Sequence, residues 1–179
     1  MTKSILLVLL LTSMFANAED KVAPDDPFDL TVSTKNVKEF GVITKAQVDQ
    51  LETTAKELFT AGNCISAVKA LEEYAKKANW LANMISANLD PYYTASYDDR
   101  KSYNFEKLKP LIPLETMAND YKAKRNRAFA MQGECYLKLG DKEAALPLLL
   151  KALDLLEIED DEWWSRSRNN LLSIIEVKV

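Results

Sequence analysis

The chain has no histidine, and Cys64 and Cys135 are the only cysteines among its 179 residues. The first absence removes the commonest general base and the commonest transition-metal ligand together. With two thiols at most, a zinc or iron–sulfur centre would need carboxylates at nearly every other ligand position, a donor set those metals disfavour. Glycine is scarce too, at four positions, while charged residues make up 28% of the chain. That balance favours helix over turn-rich β-structure. Long apolar runs are also missing. The most apolar late stretch, residues 146–156, is broken by Lys151, well short of the roughly 20 residues a membrane-crossing helix needs. The formal net charge of −4 is a mild acidity that argues against nucleic acid or anionic lipid as partners.

What is present begins with an export signature. Lys3 supplies a positive start, residues 5–11 (ILLVLLL) a short apolar core, and Ala16-Asn17-Ala18 the small-x-small pattern of a signal peptidase site. Residues 1–18 are expected to be a signal peptide, cleaved near Ala18 to release a periplasmic or secreted protein starting near Glu19. No Cys follows the cleavage site, so lipid attachment there is not expected, and no membrane span is expected after removal. Loss of Lys3 takes the formal net charge from −4 to −5. An oxidising destination and an even cysteine count invite a Cys64–Cys135 bridge. Two separately buried thiols are the alternative.

A helical pattern then occurs twice. After Gly140-Asp141, apolar residues fall at Ala145, Leu148, Leu149, Ala152, Leu153 and Leu156, one continuous face of an α-helix. After Gly62-Asn63 the same offsets carry Ala67, Ala70, Leu71, Tyr74, Ala75 and Ala78, each 78 residues before its counterpart and without a gap. The helices ahead of the two glycines agree less closely, with Val48, Leu51, Ala55, Leu58 and Phe59 in one and Phe129, Gly133, Tyr136 and Leu137 in the other. Matched glycine turns and an ungapped register point to an internal repeat.

These residues resemble the tetratricopeptide repeat family. Counted from residue 126, the later copy has Phe129 at the fourth position, Gly133 at the eighth, Tyr136 at the eleventh, Ala145 at the twentieth and Ala152 at the twenty-seventh. There, small residues let paired helices approach and large ones fill the gaps. The earlier copy keeps Ala55 and Ala67 but departs with Leu58 and Tyr74. The resemblance covers about 48–81 and 126–159, under half of the chain. It implies an all-α, antiparallel helical repeat array, an α–α superhelix whose hollow face binds peptides. Family positions facing that hollow correspond to Asp49, Glu52, Lys56, Phe59 and Thr60, then Arg127, Ala130, Glu134, Leu137 and Lys138. Glu52 stands where relatives that clamp a C-terminal carboxylate want Lys, so the resemblance does not imply that clamp.

The 78-residue spacing exceeds that of adjacent repeats by about 44 residues. The helix after Cys64 is expected to run on through Trp80, Leu81, Met84 and Ile85 until Asp90-Pro91 stops it. Pro113 can open a second long helix with Leu114, Met117, Ala118, Tyr121, Arg125, Ala128 and Phe129 on one face. Between them lies an insertion at about 90–112; a third, degenerate repeat is the alternative, which Pro110 and Pro113 oppose. Thr44 and Gln47 form a capping-box pattern that should start the domain, 44–179. Residues 19–43, with Pro24 and Pro27, are expected to form a flexible arm in which DLTVST adds a short strand. A capping helix is expected at about 161–176, where Trp163, Trp164, Leu171, Leu172, Ile174 and Ile175 cover the last apolar face. Pro147 should bend its helix slightly.

Four of seven tyrosines, Tyr92, Tyr93, Tyr97 and Tyr103, fall within twelve residues of the insertion, with Phe105 close behind and Arg100-Lys101 between them. Tyrosine and arginine are enriched where interfaces gain most of their energy. Two readings are open for these rings: recognition, or folding back over Trp80 and Met84. Hollow-face candidates are Glu52, Lys56, Phe59, Arg127, Glu134 and Lys138. The acidic pairs Asp98-Asp99 and those in residues 157–162 (EIEDDE) read as solvated charge, without the ligand spacing of a calcium loop. The expectation is a non-enzymatic protein–protein interaction module, an adaptor or assembly factor that docks another protein of the cell envelope, without cofactor or metal. Alternatives are an enzyme or accessory subunit with polar residues on the insertion, or a structural subunit of a homo-oligomer.

Overall fold

The computed structural model describes residues 31–92, 94–158 and 161–177, and among them there is no β-strand. The order is α1 (Thr31–Phe40), α2 (Lys45–Thr60), α3 (Cys64–Ser86), a 3-10 turn (Ala87–Leu89), α4 (Tyr97–Ser102), α5 (Phe105–Leu108), α6 (Ile112–Lys138), α7 (Lys142–Leu155) and α8 (Asp161–Ile174). Helix α2 starts with the expected capping box. The Thr44 hydroxyl accepts from the Gln47 N–H, and the Gln47 side chain accepts from the Thr44 N–H at 2.9 Å.

The turns after α2 and α6 are built alike. Gly62 (φ +73°) and Gly140 (φ +82°) take the left-handed conformation that a Cβ would oppose. Asn63 N–H then donates back to Leu58 O at 3.0 Å, and Asp141 N–H to Tyr136 O at 2.9 Å. Each of these residues also caps the next helix, Asn63 accepting from Ser66 N–H at 3.3 Å and Asp141 from Ala144 N–H at 2.9 Å. Every one of these partners lies 78 residues from its equivalent.

Helices α3 and α6, of 23 and 27 residues, pack along each other as the centre of the molecule. They run antiparallel. Cys64 opens α3 and is disulfide-bonded to Cys135 near the end of α6, with Cα atoms 5.0 Å apart, while Asn79 further along α3 meets Arg125 further back on α6. Helix α2 packs on α3, α7 on α6, and α8 on α7 and α6. Buried between them are Val48, Ala55, Ala67, Leu71, Ala75, Ala78, Ala82, Tyr121, Ala128 and Met131. The many alanines let these axes come close. A second cluster of Ala130, Ala152 and Leu156 lies beneath Trp163 and Trp164, so α8 covers the last apolar stripe.

The arm is where structure and expectation part. Thr31–Phe40 is a helix rather than the strand expected of DLTVST, and residues 19–30 of the expected arm, like the expected signal segment 1–18, lie outside the described residues. Gly41, at φ +70°, ends that helix by returning its N–H to Val37 O at 2.9 Å. The Phe40 ring meets Trp80 on α3 at 6.2 Å, a tertiary contact that outweighs the β-preference of Thr and Val. The insertion is also not one loop, since it carries α4 and α5. Helix α3 ends at Ser86, and the 3-10 turn continues it to Leu89, which is fully buried ahead of Pro91.

Candidate functional site

Side chains of α2 and α6 meet across the face expected to be hollow. Tyr121 O–H donates to the Asp49 carboxylate at 2.6 Å, and Lys124 Nζ lies 3.3 Å from Glu52. Glu52 is 8% exposed and also paired with Lys56. Two lysines enclose it, so little of its surface is left on the face expected to be hollow. Ala130 is likewise buried. Burial drives the Tyr74 phenol far above its ordinary pKa, and the neighbouring Glu52 carboxylate adds to the rise, though the hydroxyl makes no hydrogen bond of good geometry. Burial alone would raise the Asp49 carboxyl, but hydrogen bonds from Lys45 and Tyr121 hold it below its usual range.

The other end of the same face is closed by α8. Arg166 donates to Glu134 at 2.7 and 3.1 Å, and Lys138 pairs with Glu134 at 2.9 Å. Burial would lift the Glu134 carboxyl; these two cations bring it below the normal value. The Phe59 ring sits 6.0 Å from Trp163, with Lys138 and Arg166 over it at 5.3 and 5.7 Å. Phe59, Glu134 and Lys138 therefore form one cluster with Trp163 and Arg166, whose part in it the periodicity of α8 did not reveal. Arg127 is half-buried beside the Glu52 cluster, between Lys124 and Met131.

The insertion gathers its own side chains. Tyr92 and Tyr103 meet edge to face at 5.9 Å, Arg100 lies over Tyr92 at 5.5 Å, and Lys101 over Tyr97 at 4.1 Å. Neither α4 nor α5 contains a buried residue, and Tyr97 and Phe105 are 74% and 62% exposed. Tyr93 lies outside the described residues. Trp80 is covered by Phe40 of α1. The acids Asp98 and Asp99 occupy the first turn of α4, where the Asp99 carboxylate accepts from Ser96 O–H at 2.7 Å and the helix dipole favours negative charge.

A further surface lay outside the sequence expectations. On the far side of α6 from α2 is a groove of about 610 Å³, floored by α6 and walled by α3 and α7. Its floor carries Arg125, Phe129, Gln132 and Tyr136 at helical spacing. Phe129 and Tyr136 were expected as gap-filling residues between paired helices. Only the separation of α3 from α7 leaves them lining a cleft.

Among the described residues, no group of three or more His, Cys, Asp and Glu side chains is placed to hold a metal ion, and no helix is long and apolar enough to cross a membrane. In comparisons with known proteins, no family model matches the chain, and neither a curated protein nor a solved structure is similar to it.

Proposed function

We propose that this chain is an exported, non-enzymatic recognition module of tetratricopeptide-like architecture, which docks another protein of the cell envelope through its insertion. The repeat reading is supported by the two glycine turns, whose hydrogen bonds and helix caps correspond at a constant 78-residue offset. It is supported again by the position of Gly133, where a Cβ would meet Leu149 Cγ at 2.7 Å. Export agrees with the Cys64–Cys135 disulfide, a bond that persists in oxidising compartments.

The observation that carries docking is the exposure of the insertion's aromatic and basic side chains. Tyr97 and Phe105 are 74% and 62% exposed on helices that bury no residue, and Tyr92, Tyr103 and Arg100 beside them are held against one another. Rings held by neighbouring cations lose little freedom on binding and offer large area with a polar tip. The test is the double variant Tyr97→Ala/Tyr103→Ala. Affinity capture from envelope extract with the wild-type protein should recover a stoichiometric partner that the variant loses, with Tm shifted by no more than a few degrees. A Tm drop of roughly 10 °C or more would mark the rings as core instead.

A further inference from the structure

We propose that the groove between α3, α6 and α7 is a second recognition site, for an extended peptide segment that places a carboxylate on Arg125 and an apolar side chain against Phe129 and Leu148. The inference rests on the reading of the chain as a recognition module but uses a different surface from the insertion.

Two polar groups in the groove are left incomplete by the protein itself. Gln132 is 4% exposed and lines the groove floor, yet its Nε2 has no hydrogen-bond acceptor. Buried amide donors are nearly always paired, so this one, on a residue of the groove floor, is left for an acceptor that an occupant of the groove can bring. Arg125 is half-buried, and its guanidinium donates only to the neutral amide oxygens of Asn79 and Asn126, the latter at 2.8 and 3.0 Å. The other cations lining the groove are matched: Lys76 pairs with Glu72 at 2.7 Å and Lys151 with Asp154 at 3.0 Å. A half-buried guanidinium without a carboxylate is the group an acidic side chain completes, by two parallel hydrogen bonds.

The spacing sets the shape of the occupant. Arg125 and Gln132 are seven residues apart on α6, roughly 10 Å along the axis. That equals about three residues of extended chain. Phe129 lies midway, with Leu148 and Leu155 on the α7 wall. An extended segment has free backbone carbonyls, one of which can accept from Gln132. A helical segment has already committed its own, except in the last turn. The volume of about 610 Å³ falls in the range of sites that enclose several residues or a small ligand.

The test is fluorescence polarisation with the mature protein and the labelled peptide fluorescein-GGDALVLG-amide, against the same peptide with Asn in place of Asp. The Asp peptide should bind saturably, and the Asn peptide about tenfold more weakly, the loss expected for one charge-assisted pair. Arg125→Gln should abolish the difference between the peptides. Because Arg125 also ties α3 to α6, two further variants keep the test independent of folding. Gln132→Leu should weaken binding several-fold while leaving Tm unchanged or higher, since it removes an unpaired buried donor. Leu148→Lys should block the groove from its lip. The proposal is overturned by no saturable binding at about millimolar peptide, by equal affinity for the Asp and Asn peptides, or by binding that both Gln132→Leu and Leu148→Lys leave intact. Tyr97→Ala/Tyr103→Ala should not change peptide affinity. Loss of peptide binding with partner capture retained therefore sinks the groove alone, and the reverse pattern sinks the insertion alone.

Discussion

A Cβ on Gly133 would stand 2.7 Å from Leu149 Cγ and 2.8 Å from Cδ2, whereas one on Gly62 would meet nothing within 4 Å. The two glycines are thus required for different reasons, and their alanine variants should separate them. Gly133→Ala must displace a fully buried leucine and should cost about 1–3 kcal/mol, read as a Tm loss of several degrees. Gly62→Ala meets no clash and should cost about 1 kcal/mol through its left-handed backbone alone. Glu134 gives a pH signature at the same scale. Its folded carboxyl lies below the ordinary 4.5 and that of Asp49 below 3.8. Their contribution to stability is therefore full above those ordinary values and is lost as pH falls through the lower folded ones. Melting of the wild type should hold from neutrality to about pH 5 and decline in acid. Glu134→Gln should begin about 2 kcal/mol less stable at neutral pH and decline less steeply. Gly133 was readable in the sequence as the small residue of a close helix pair. The pairing of Glu134 with Lys138, four residues on, follows helical spacing, but that with Arg166 was not readable, because 32 residues separate them and no local periodicity links them.

At the scale of elements, the disulfide binds the start of α3 to the end of α6 across a sequence separation of 71. A loop of that length, if left open in the unfolded chain, is worth about 4 kcal/mol in the chain-entropy account. The double variant Cys64→Ser/Cys135→Ser should therefore melt well below the wild type. Thiol titration of unreduced, denatured protein should find no free thiol; two free thiols would contradict the bridge. The long helices were legible as elements, because apolar residues recur at helical spacing from Ala67 to Ile85 and from Leu114 to Phe129, and prolines bracket the space between. Helix α1 was not. Its sequence, TVSTKNVKEF, has little apolar surface of its own, and its Phe40 ring is set on Trp80, 40 residues away in the chain. Phe40→Ala should uncover that indole and shift tryptophan emission to the red, with the melting of α2 to α8 little changed.

For the molecule as a whole, the helical core and the insertion should be energetically separable, because α4 and α5 bury no residue of their own. Replacing residues 93–109 with a short Gly/Ser linker should leave Tm within a few degrees, a change of about 1 kcal/mol at this size. A collapse of Tm would show that the insertion braces α3 against α6. By itself the sequence determined the helical class, the two hairpins and their common register. Those depend on local rules: the 3.6-residue period of apolar side chains, glycine at a left-handed turn, and Asn or Asp capping the helix that follows. Tertiary structure alone decided that Glu52 is enclosed by lysines, that Trp163 and Arg166 close over Phe59, and that Arg125 and Gln132 share a cleft. Each of these depends on which faces of distant helices meet. That is set by packing across the whole core, and pairs as distant in sequence as Glu52 and Lys124, or Phe59 and Trp163, carry no local trace of it.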